Sequence, residues 1–217
     1  MNILLIGAGG VASYLMPILQ KMQVEELMIT IMDGDILEER NLDRQLFTNN
    51  MIGKNKAEAL AEMYAVNSYD SFYKEGSGAI TTDTDCVICC VDNRESRVLI
   101  YKDCMEKKVP FITGANEMFD ASGFFADPAD YKGRYCLLNM FPDLLNQQVA
   151  GGFSCTGVEG EKYPQLAIAN QQAAAFILHL LWTHVIKRAD FSDEARNHLP
   201  FSLERTIGGY SQTSKFE

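Results

Sequence analysis

Residues 2–16 read NILLIGAGGVASYLM, and this stretch is the strongest indication of the fold class. Residues 2–6 form a run of leucine and isoleucine that is typical of a buried β-strand, and a turn containing Gly7, Gly9 and Gly10 follows directly. The residues after the turn continue with the apolar pattern of a helix. The pattern therefore predicts a strand, a tight turn and a helix at the start of an α/β fold.

This turn is suited to binding an anion. Gly7, Gly9 and Gly10 leave backbone N–H groups uncovered, and the start of the following helix adds a partial positive charge. Asp33 ends a second apolar run, residues 27–32, where a carboxylate can accept hydrogen bonds from ribose hydroxyls. These features predict a nucleotide site, and they fit NAD and ATP equally well.

Three charged residues beyond Asp33 favour ATP. Arg44 and Lys56 supply fixed cations, which stabilise the negative charge that develops when a triphosphate reacts at its α-phosphorus. Asp92 follows a third apolar run, residues 86–91, so it should lie at a strand's carboxyl end and can hold Mg²⁺. A NAD-dependent oxidoreductase has no evident use for these residues, but it remains the alternative enzyme class.

Five motifs along the chain also occur together in one known family. They are Gly7-Ala8-Gly9-Gly10, Asp33-Gly34-Asp35, Asn41-Leu42-Asp43-Arg44-Gln45, Gly53-Lys54-Asn55-Lys56 and Cys90-Val91-Asp92-Asn93. In order and spacing the sequence resembles the ThiF/MoeB/HesA adenylyltransferases, whose fold is shared with ubiquitin-activating enzymes. The resemblance extends over roughly residues 2–185 and is strong up to Arg97.

The resemblance implies an enzyme that uses ATP and Mg²⁺ to activate the C-terminal glycine of a small ubiquitin-like or sulfur-carrier protein. The products would be an acyl adenylate and pyrophosphate. The site residues implied are Asp33 for the ribose, Asn41, Arg44 and Lys56 for the phosphates, Asp92 for the metal, and Asp35 and Gln45 as supporting groups.

The resemblance also bears on the cysteines, as a possible acyl acceptor and as possible zinc ligands. Cys155 precedes an alanine-rich helix at a place where some relatives carry a reactive cysteine, so it is a candidate acceptor for the acyl group, with an inert cysteine as the alternative. Many relatives bind zinc through paired Cys-x-x-Cys motifs, but Cys136 is followed three residues later by Asn139. Cys86 and Cys89 lie within an apolar strand, so we expect core residues and no zinc.

One expected cation is missing from the pattern. Relatives carry an arginine on a helix before the first strand, which reaches the neighbouring subunit's ATP site, whereas here Ile3 already belongs to that strand. Arg94, Arg40 or a heteromeric partner would have to replace it. A non-catalytic nucleotide-binding scaffold that pairs with a complete relative therefore stays open as an alternative.

Composition narrows the class of protein. The chain has 217 residues and a formal net charge of −10, which disfavours a nucleic-acid surface because phosphates are bound by clustered Lys and Arg. No apolar run approaches the ~20 residues that span a membrane. Six unpatterned cysteines without an export signal indicate reduced thiols and a cytoplasmic location.

The alternation of strands and helices predicts the architecture. We expect a Rossmann-like, doubly wound α/β fold: a mostly parallel sheet with helices on both faces and an antiparallel extension in the C-terminal half. We expect residues 1–217 to form one domain, with an ATP-binding half at 1–108, a partner-binding and dimerisation half at 109–205 that makes a homodimer, and a flexible tail at 206–217. Helices are predicted over 54–64, 92–107 and 168–186.

Overall fold

A single eight-stranded sheet organises the protein. The computed structural model describes residues 1–22, 24–117, 120–130, 136–145, 166–187, 190, 192, 195, 199–206 and 209–213. The strands of the sheet are β1 (Asn2–Ile6), β2 (Met28–Met32), β3 (Asn67–Tyr69), β4 (Cys86–Cys89), β5 (Phe111–Glu117), β6 (Asp120–Ala126), β7 (Ser202–Thr206) and β8 (Gly209–Thr213). Their spatial order is β3-β2-β1-β4-β5-β6-β7-β8.

Helices connect and cover the strands. They are α1 (Gly10–Leu19), α2 (Lys56–Tyr64), α3 (Arg94–Glu106), α4 (Leu137–Met140) and α5 (Ala167–Leu181), and α5 continues as a turn of π-helix over Trp182–Ile186. Short 3₁₀ turns occupy Glu39–Asn41, Asn49–Met51, Pro128–Asp130 and Pro142–Leu145. Within the described ranges, every helix is too short or too polar to cross a membrane.

The direction of the strands divides the sheet into two halves. β1 pairs in parallel with both β2 and β4, β2 with β3, and β4 with β5. From β5 onward, the pairs β5–β6, β6–β7 and β7–β8 are antiparallel. The predicted Rossmann-like sheet with an antiparallel C-terminal extension is confirmed. Its strand order reverses between β1 and β4, which is where ligands of such sheets bind.

The strands in the middle of the sheet are buried on both faces. All four residues of β4 are buried, and Cys86 and Cys89 have no exposed surface, which confirms that both are core residues. Burial raises the pKa of the Cys86 and Cys104 thiols, because a thiolate is poorly solvated there. These two thiols are therefore protonated and structural.

Asparagine caps set where two of the helices begin. The Asn55 side chain accepts hydrogen bonds from the backbone N–H groups of Ala57 and Glu58, and the Asn93 side chain accepts one from Ser96. Helices α2 and α3 consequently start two residues later than the sequence pattern predicted. The pattern did not identify these caps, although asparagine is among the preferred N-cap residues.

The prediction of a flexible tail over residues 206–217 is wrong for part of that range. Thr206 completes β7, and residues 209–213 form β8, whose residues pair with β7 from Thr206↔Gly209 to Ser202↔Thr213. Four of the five residues of β8 are exposed, so the strand has no apolar alternation to detect. β8 is held by backbone hydrogen bonds to β7, and such bonds leave no signal in the sequence. β3, three residues long and polar, was missed for the same reason.

Candidate functional site

Gly7 brings three strand ends together at the point where the strand order reverses. Its N–H donates to the Met32 carbonyl at 2.8 Å, and the N–H of Cys90 donates to Ile6 at 2.7 Å. Gly7 has φ +96°, and a Cβ atom there would lie 2.7 Å from the carbonyl carbon of Cys90. Only glycine fits both constraints, so the predicted tight turn depends on this residue.

The next two glycines differ in what surrounds them. Gly9 is the N-cap of α1, and a Cβ atom there would meet nothing within 4 Å. Ser13 N–H makes the first bond of the helix, to the Gly9 carbonyl at 3.0 Å, so the preceding N–H groups have no partner within the helix. A Cβ atom on Gly10 would instead lie 2.4 Å from Asn170 Nδ2. Gly9 faces open space suited to an anion, whereas Gly10 allows close packing.

Asp33 lies directly against the glycine turn. Its Oδ2 accepts a hydrogen bond from Ala8 N–H at 2.6 Å, and its Oδ1 accepts one from Asp35 N–H at 2.8 Å. Burial raises the pKa of this carboxyl, an effect that the two hydrogen bonds and Lys56 partly offset. Each carboxylate oxygen retains a second lone pair, so the group can still accept hydrogen bonds from a ligand.

Lys56 is bound to the same segment. Its Nζ lies 2.8 Å from Asp35 Oδ2, and its side chain is only 11% exposed. Lys54, which could have filled the same role on sequence grounds, instead forms an ion pair with Glu62. Of these two lysines, the structure therefore brings Lys56 to the site.

Asn55 is a site residue that the sequence analysis missed. Its Nδ2 donates to the carbonyl oxygens of Asp33 at 2.8 Å and Asp35 at 3.2 Å, while its Oδ1 caps α2. One buried side chain thus fixes the acidic segment to the helix that carries Lys56. The detectable signal was the preference of asparagine for N-cap positions.

Residues 38–46, which we call the arginine loop, carry three further candidates. Asn41 is buried, and its Oδ1 accepts a hydrogen bond from Glu38 N–H at 3.0 Å, so this side chain shapes the loop. Arg44 donates from Nη1 to the Arg40 carbonyl at 3.1 Å. Gln45 is buried as well. Arg40, considered above as a replacement cation, forms an exposed ion pair with Glu38.

The arginine loop is attached to α1 and α5. Leu46 N–H donates to Ser13 Oγ at 3.0 Å, and Asn170 Nδ2 donates to the Arg44 carbonyl at 3.0 Å. Asn170 lies 126 positions away from Arg44 in the sequence, and the sequence analysis did not identify it. No local motif marks this residue.

Asp92 is exposed just beyond the carboxyl end of β4. The residues before it, Cys90 and Val91, lie against Gly7, and Arg97 Nη2 donates to the Val91 carbonyl at 2.6 Å. Mg²⁺ commonly binds one or two carboxylates together with substrate phosphates and water, so one carboxylate here fits that ion. Among the described residues, no group of three or more His, Cys, Asp or Glu side chains could hold a metal by itself.

The remaining candidates have different outcomes. Cys155 lies outside the described residues, so its predicted role stays a prediction. Arg94, the other proposed replacement cation, is the first residue of α3 and lies close in sequence to Asp92. The structure thus brings the glycine turn, Asp33, Asp35 and Lys56 together by direct contacts.

The chain is similar in sequence to several known proteins. A model described as the ThiF family matches residues 1–188. Ubiquitin-like modifier-activating enzyme 5 of Culex quinquefasciatus is 30% identical over 141 residues, which cover 54% of this chain and 34% of the relative. The adenylyltransferase and sulfurtransferase uba4 of Sclerotinia sclerotiorum is 30% identical over 147 residues, covering 65% of this chain and 27% of that protein. The chain therefore matches about a third or less of these relatives' length.

A solved structure shows the same fold. The crystal structure of SeMet PaaA superposes with a TM-score of 0.67 at 15% sequence identity, covering 100% of this chain and 64% of that chain. At this identity the likeness concerns the fold alone. It extends to the antiparallel half of the sheet, beyond the residues that the family model matches.

Proposed function

This chain belongs to the ThiF family, and we propose that it is an ATP-dependent adenylyltransferase acting on the C-terminal carboxylate of a small ubiquitin-like or sulfur-carrier protein. The observation that carries the proposal is the contact of Asp33 with the glycine turn, 2.6 Å from its Oδ2 to Ala8 N. A carboxylate held beside N–H groups that have no partner within α1 supports binding of a ribose and its phosphates at this turn. The names of the relatives support the same class of activity.

The charged residues around the turn suit a triphosphate better than a dinucleotide. Lys56 is held by Asp35 next to the ribose acid, and Arg44 lies on the arginine loop over the start of α1. Two cations near one phosphate chain stabilise charge that moves onto a leaving pyrophosphate. A NAD-dependent oxidoreductase releases no such group, so the positions of these residues favour adenylation.

The proposed reaction is a displacement at the α-phosphorus. A carboxylate oxygen of the partner's terminal glycine attacks that phosphorus, the bond to the bridging oxygen breaks, and pyrophosphate leaves with the electron pair. Gly9 and the first turn of α1 bind phosphate oxygens, Asp33 holds the ribose, and Lys56 and Arg44 stabilise the developing charge. Asp92 would hold Mg²⁺, which neutralises phosphate charge. A later transfer of the acyl group to Cys155 would form a thioester and release AMP.

Pyrophosphate exchange tests this function directly. Labelled pyrophosphate, ATP and Mg²⁺ are mixed with the protein and with candidate partners that end in glycine, and label is followed into ATP. We expect exchange that depends on the partner, disappears when its terminal glycine is removed, and is lost in Arg44→Ala but kept in Lys54→Ala. ATP binding without exchange would instead support the scaffold, and NAD binding without ATP binding would overturn the proposal.

The role of Asp92 has its own test. Because Asp92 is exposed, Asp92→Asn should leave the fold intact and lower the exchange rate by about 100-fold or more, a typical loss for a group that stabilises transition-state charge. Asp83→Asn is the matched control, since Asp83 is also exposed but precedes β4, at the opposite edge of the sheet. Exchange rates at saturating Mg²⁺, with circular dichroism melts, give the answer. Equal rates for the two variants would contradict the assignment.

A further inference from the structure

Asn170 connects the last described long helix to the arginine loop. It lies in the first turn of α5 with 1% of its surface exposed, and its Nδ2 donates to the Arg44 carbonyl at 3.0 Å. Burying a polar side chain this deeply destabilises the folded protein unless the side chain makes hydrogen bonds. The bond to Arg44 is therefore an interaction that the fold maintains between two distant segments.

The same amide lies directly over the start of α1. A Cβ atom on Gly10 would lie 2.4 Å from Asn170 Nδ2 and 2.6 Å from its Oδ1, so the amide occupies the space that any larger residue would need. Asn170 thus touches the first residue of α1 and the main chain of Arg44 at once. It fixes the distance between the arginine loop and the helix end that faces the proposed phosphates.

Several polar atoms around this contact lack hydrogen-bond partners. Arg44 Nε, Gln45 Oε1 and Asn170 Oδ1 are all buried, and no described residue pairs with them. An unpaired buried group costs about 1–3 kcal/mol, and native structures keep few of them. Backbone hydrogen bonds such as Gln45 N–H to the Asn41 carbonyl at 3.0 Å fold the arginine loop on itself. Of the two bonds described above that attach it to α1 and α5, the one from Asn170 is made to Arg44 itself, so it acts most directly on where the Arg44 side chain lies.

We infer that Asn170 is a positioning residue for Arg44: its hydrogen bond to the Arg44 carbonyl holds the arginine loop on α1, so that the guanidinium faces the β- and γ-phosphates of ATP. This inference rests on the proposed function. It gives α5, a helix far in sequence from every motif of the proposed nucleotide site, a part in recognising the triphosphate. Asn170 itself touches no reacting atom.

The inference predicts a loss that is selective for the triphosphate. AMP has no β- or γ-phosphate for Arg44 to contact, so Asn170→Ala should weaken binding of ATP about tenfold and leave AMP binding within about twofold. A merely structural role would weaken both nucleotides equally. Asn170→Leu keeps nearly the volume of the side chain and removes the donor without burying a charge, so it should show the same selective loss even if Asn170→Ala folds poorly.

A double-mutant cycle separates positioning from folding. Affinities for Mg²⁺·ATP and for AMP are measured by calorimetry on the wild type, Asn170→Ala, Arg44→Ala and the double variant. If Asn170 acts through the Arg44 side chain, Asn170→Ala causes no further loss of ATP affinity in the Arg44→Ala background. Its lowering of the melting temperature should persist in both backgrounds, because Arg44→Ala keeps the carbonyl that Asn170 contacts.

The measured affinities distinguish the positioning role of Asn170 from the alternatives. Equal losses for ATP and AMP, or additive losses of ATP affinity in the double variant, would overturn the positioning role while leaving the proposed function intact. A wild-type protein that binds neither nucleotide would overturn both. Thr183→Ala serves as a control, because Thr183 Oγ1 is bonded to the His179 carbonyl at the far end of α5. It should lower the melting temperature without changing the ratio of ATP to AMP affinity.

Discussion

Gly7, in the parallel half of the sheet, and Gly114, in the antiparallel half, lie against different kinds of atom. In the parallel half, a Cβ atom on Gly7 would meet the main chain of Cys90 at 2.7 Å. In the antiparallel half, a Cβ atom on Gly114 would meet the Cδ1 methyl of Ile177, on α5, at 2.6 Å. The Cys90 main chain is hydrogen-bonded to Ile6 of β1 and cannot move without breaking that bond, whereas a methyl group can rotate away. Gly7, which lies beside the proposed nucleotide site, should therefore tolerate a side chain less well than Gly114.

The largest effect should come from Gly7→Ala. The positive φ of Gly7 and the contact with the Cys90 main chain both oppose a side chain, so we expect about 3 kcal/mol or more of lost stability. Urea unfolding measures it. Gly9→Ala is the control, because the space around Gly9 is open, and it should cost less than about 1 kcal/mol while weakening ATP binding. Similar losses in the two variants would remove the distinction between them.

Gly114→Ala is the corresponding test in the antiparallel half of the sheet. Since Ile177 can change rotamer, we expect a loss of about 1–2 kcal/mol, smaller than for Gly7→Ala. Shortening the neighbour should recover most of it, so the double variant Gly114→Ala, Ile177→Val is measured beside the single Ile177→Val. A loss as large as that of Gly7→Ala, unrelieved in the double variant, would show that α5 is as rigid as the parallel strands.

Lys56→Gln tests whether the parallel half of the sheet also holds a cation at the proposed ATP site. The Lys56 side chain is largely buried beside Asp35, so its removal should weaken ATP binding about tenfold, whereas Lys54→Gln, which disrupts only the pair with Glu62, should change it less than about twofold. Calorimetric titration with Mg²⁺·ATP measures both. If Lys54→Gln gives the larger loss, the assignment of the two lysines is reversed.

The smallest effect concerns pH. Burial raises the pKa of Asp33 above its ordinary value of 3.8, so this carboxyl stabilises the fold below pH 3.8 and loses that contribution as pH rises through the folded value. We expect the unfolding free energy of the wild type, relative to Asp33→Asn, to fall as pH rises above 3.8 and then to level off. Urea titrations at a series of pH values measure the difference. A difference that grows with pH would mean that the hydrogen bonds outweigh burial.

Much of the parallel half of the sheet was predictable from the sequence, because local residue patterns form it. Apolar runs indicated β1, β2 and β4, and the glycine turn indicated the start of α1, since only glycine tolerates the conformation at Gly7. In a parallel sheet, residues that follow neighbouring strands meet at one edge, so Asp33 and Asp92 could be assigned to the same region from their positions alone. The roles of the individual site residues remain predictions that the proposed experiments test.

Other parts of the site left at most a partial signal in the sequence. Choosing between Lys54 and Lys56 required knowing that Lys56 faces Asp35, since the two lysines differ by only two positions. Asn55 belongs to the site through bonds to carbonyl groups, which every residue possesses. β8 was missed because an exposed edge strand needs backbone partners rather than apolar residues.

The parallel core, its glycine turn and the family could all be read from the amino-acid sequence, because they depend on residue types that act on their immediate neighbours. The position of Asn170 over Gly10 and its hydrogen bond to Arg44 became visible only in the folded protein. That contact depends on α5 packing directly against α1, and the donor and acceptor are 126 positions apart in the sequence. Packing of whole elements joins residues that no local pattern relates, and here it brings a helix of the antiparallel half to the nucleotide site.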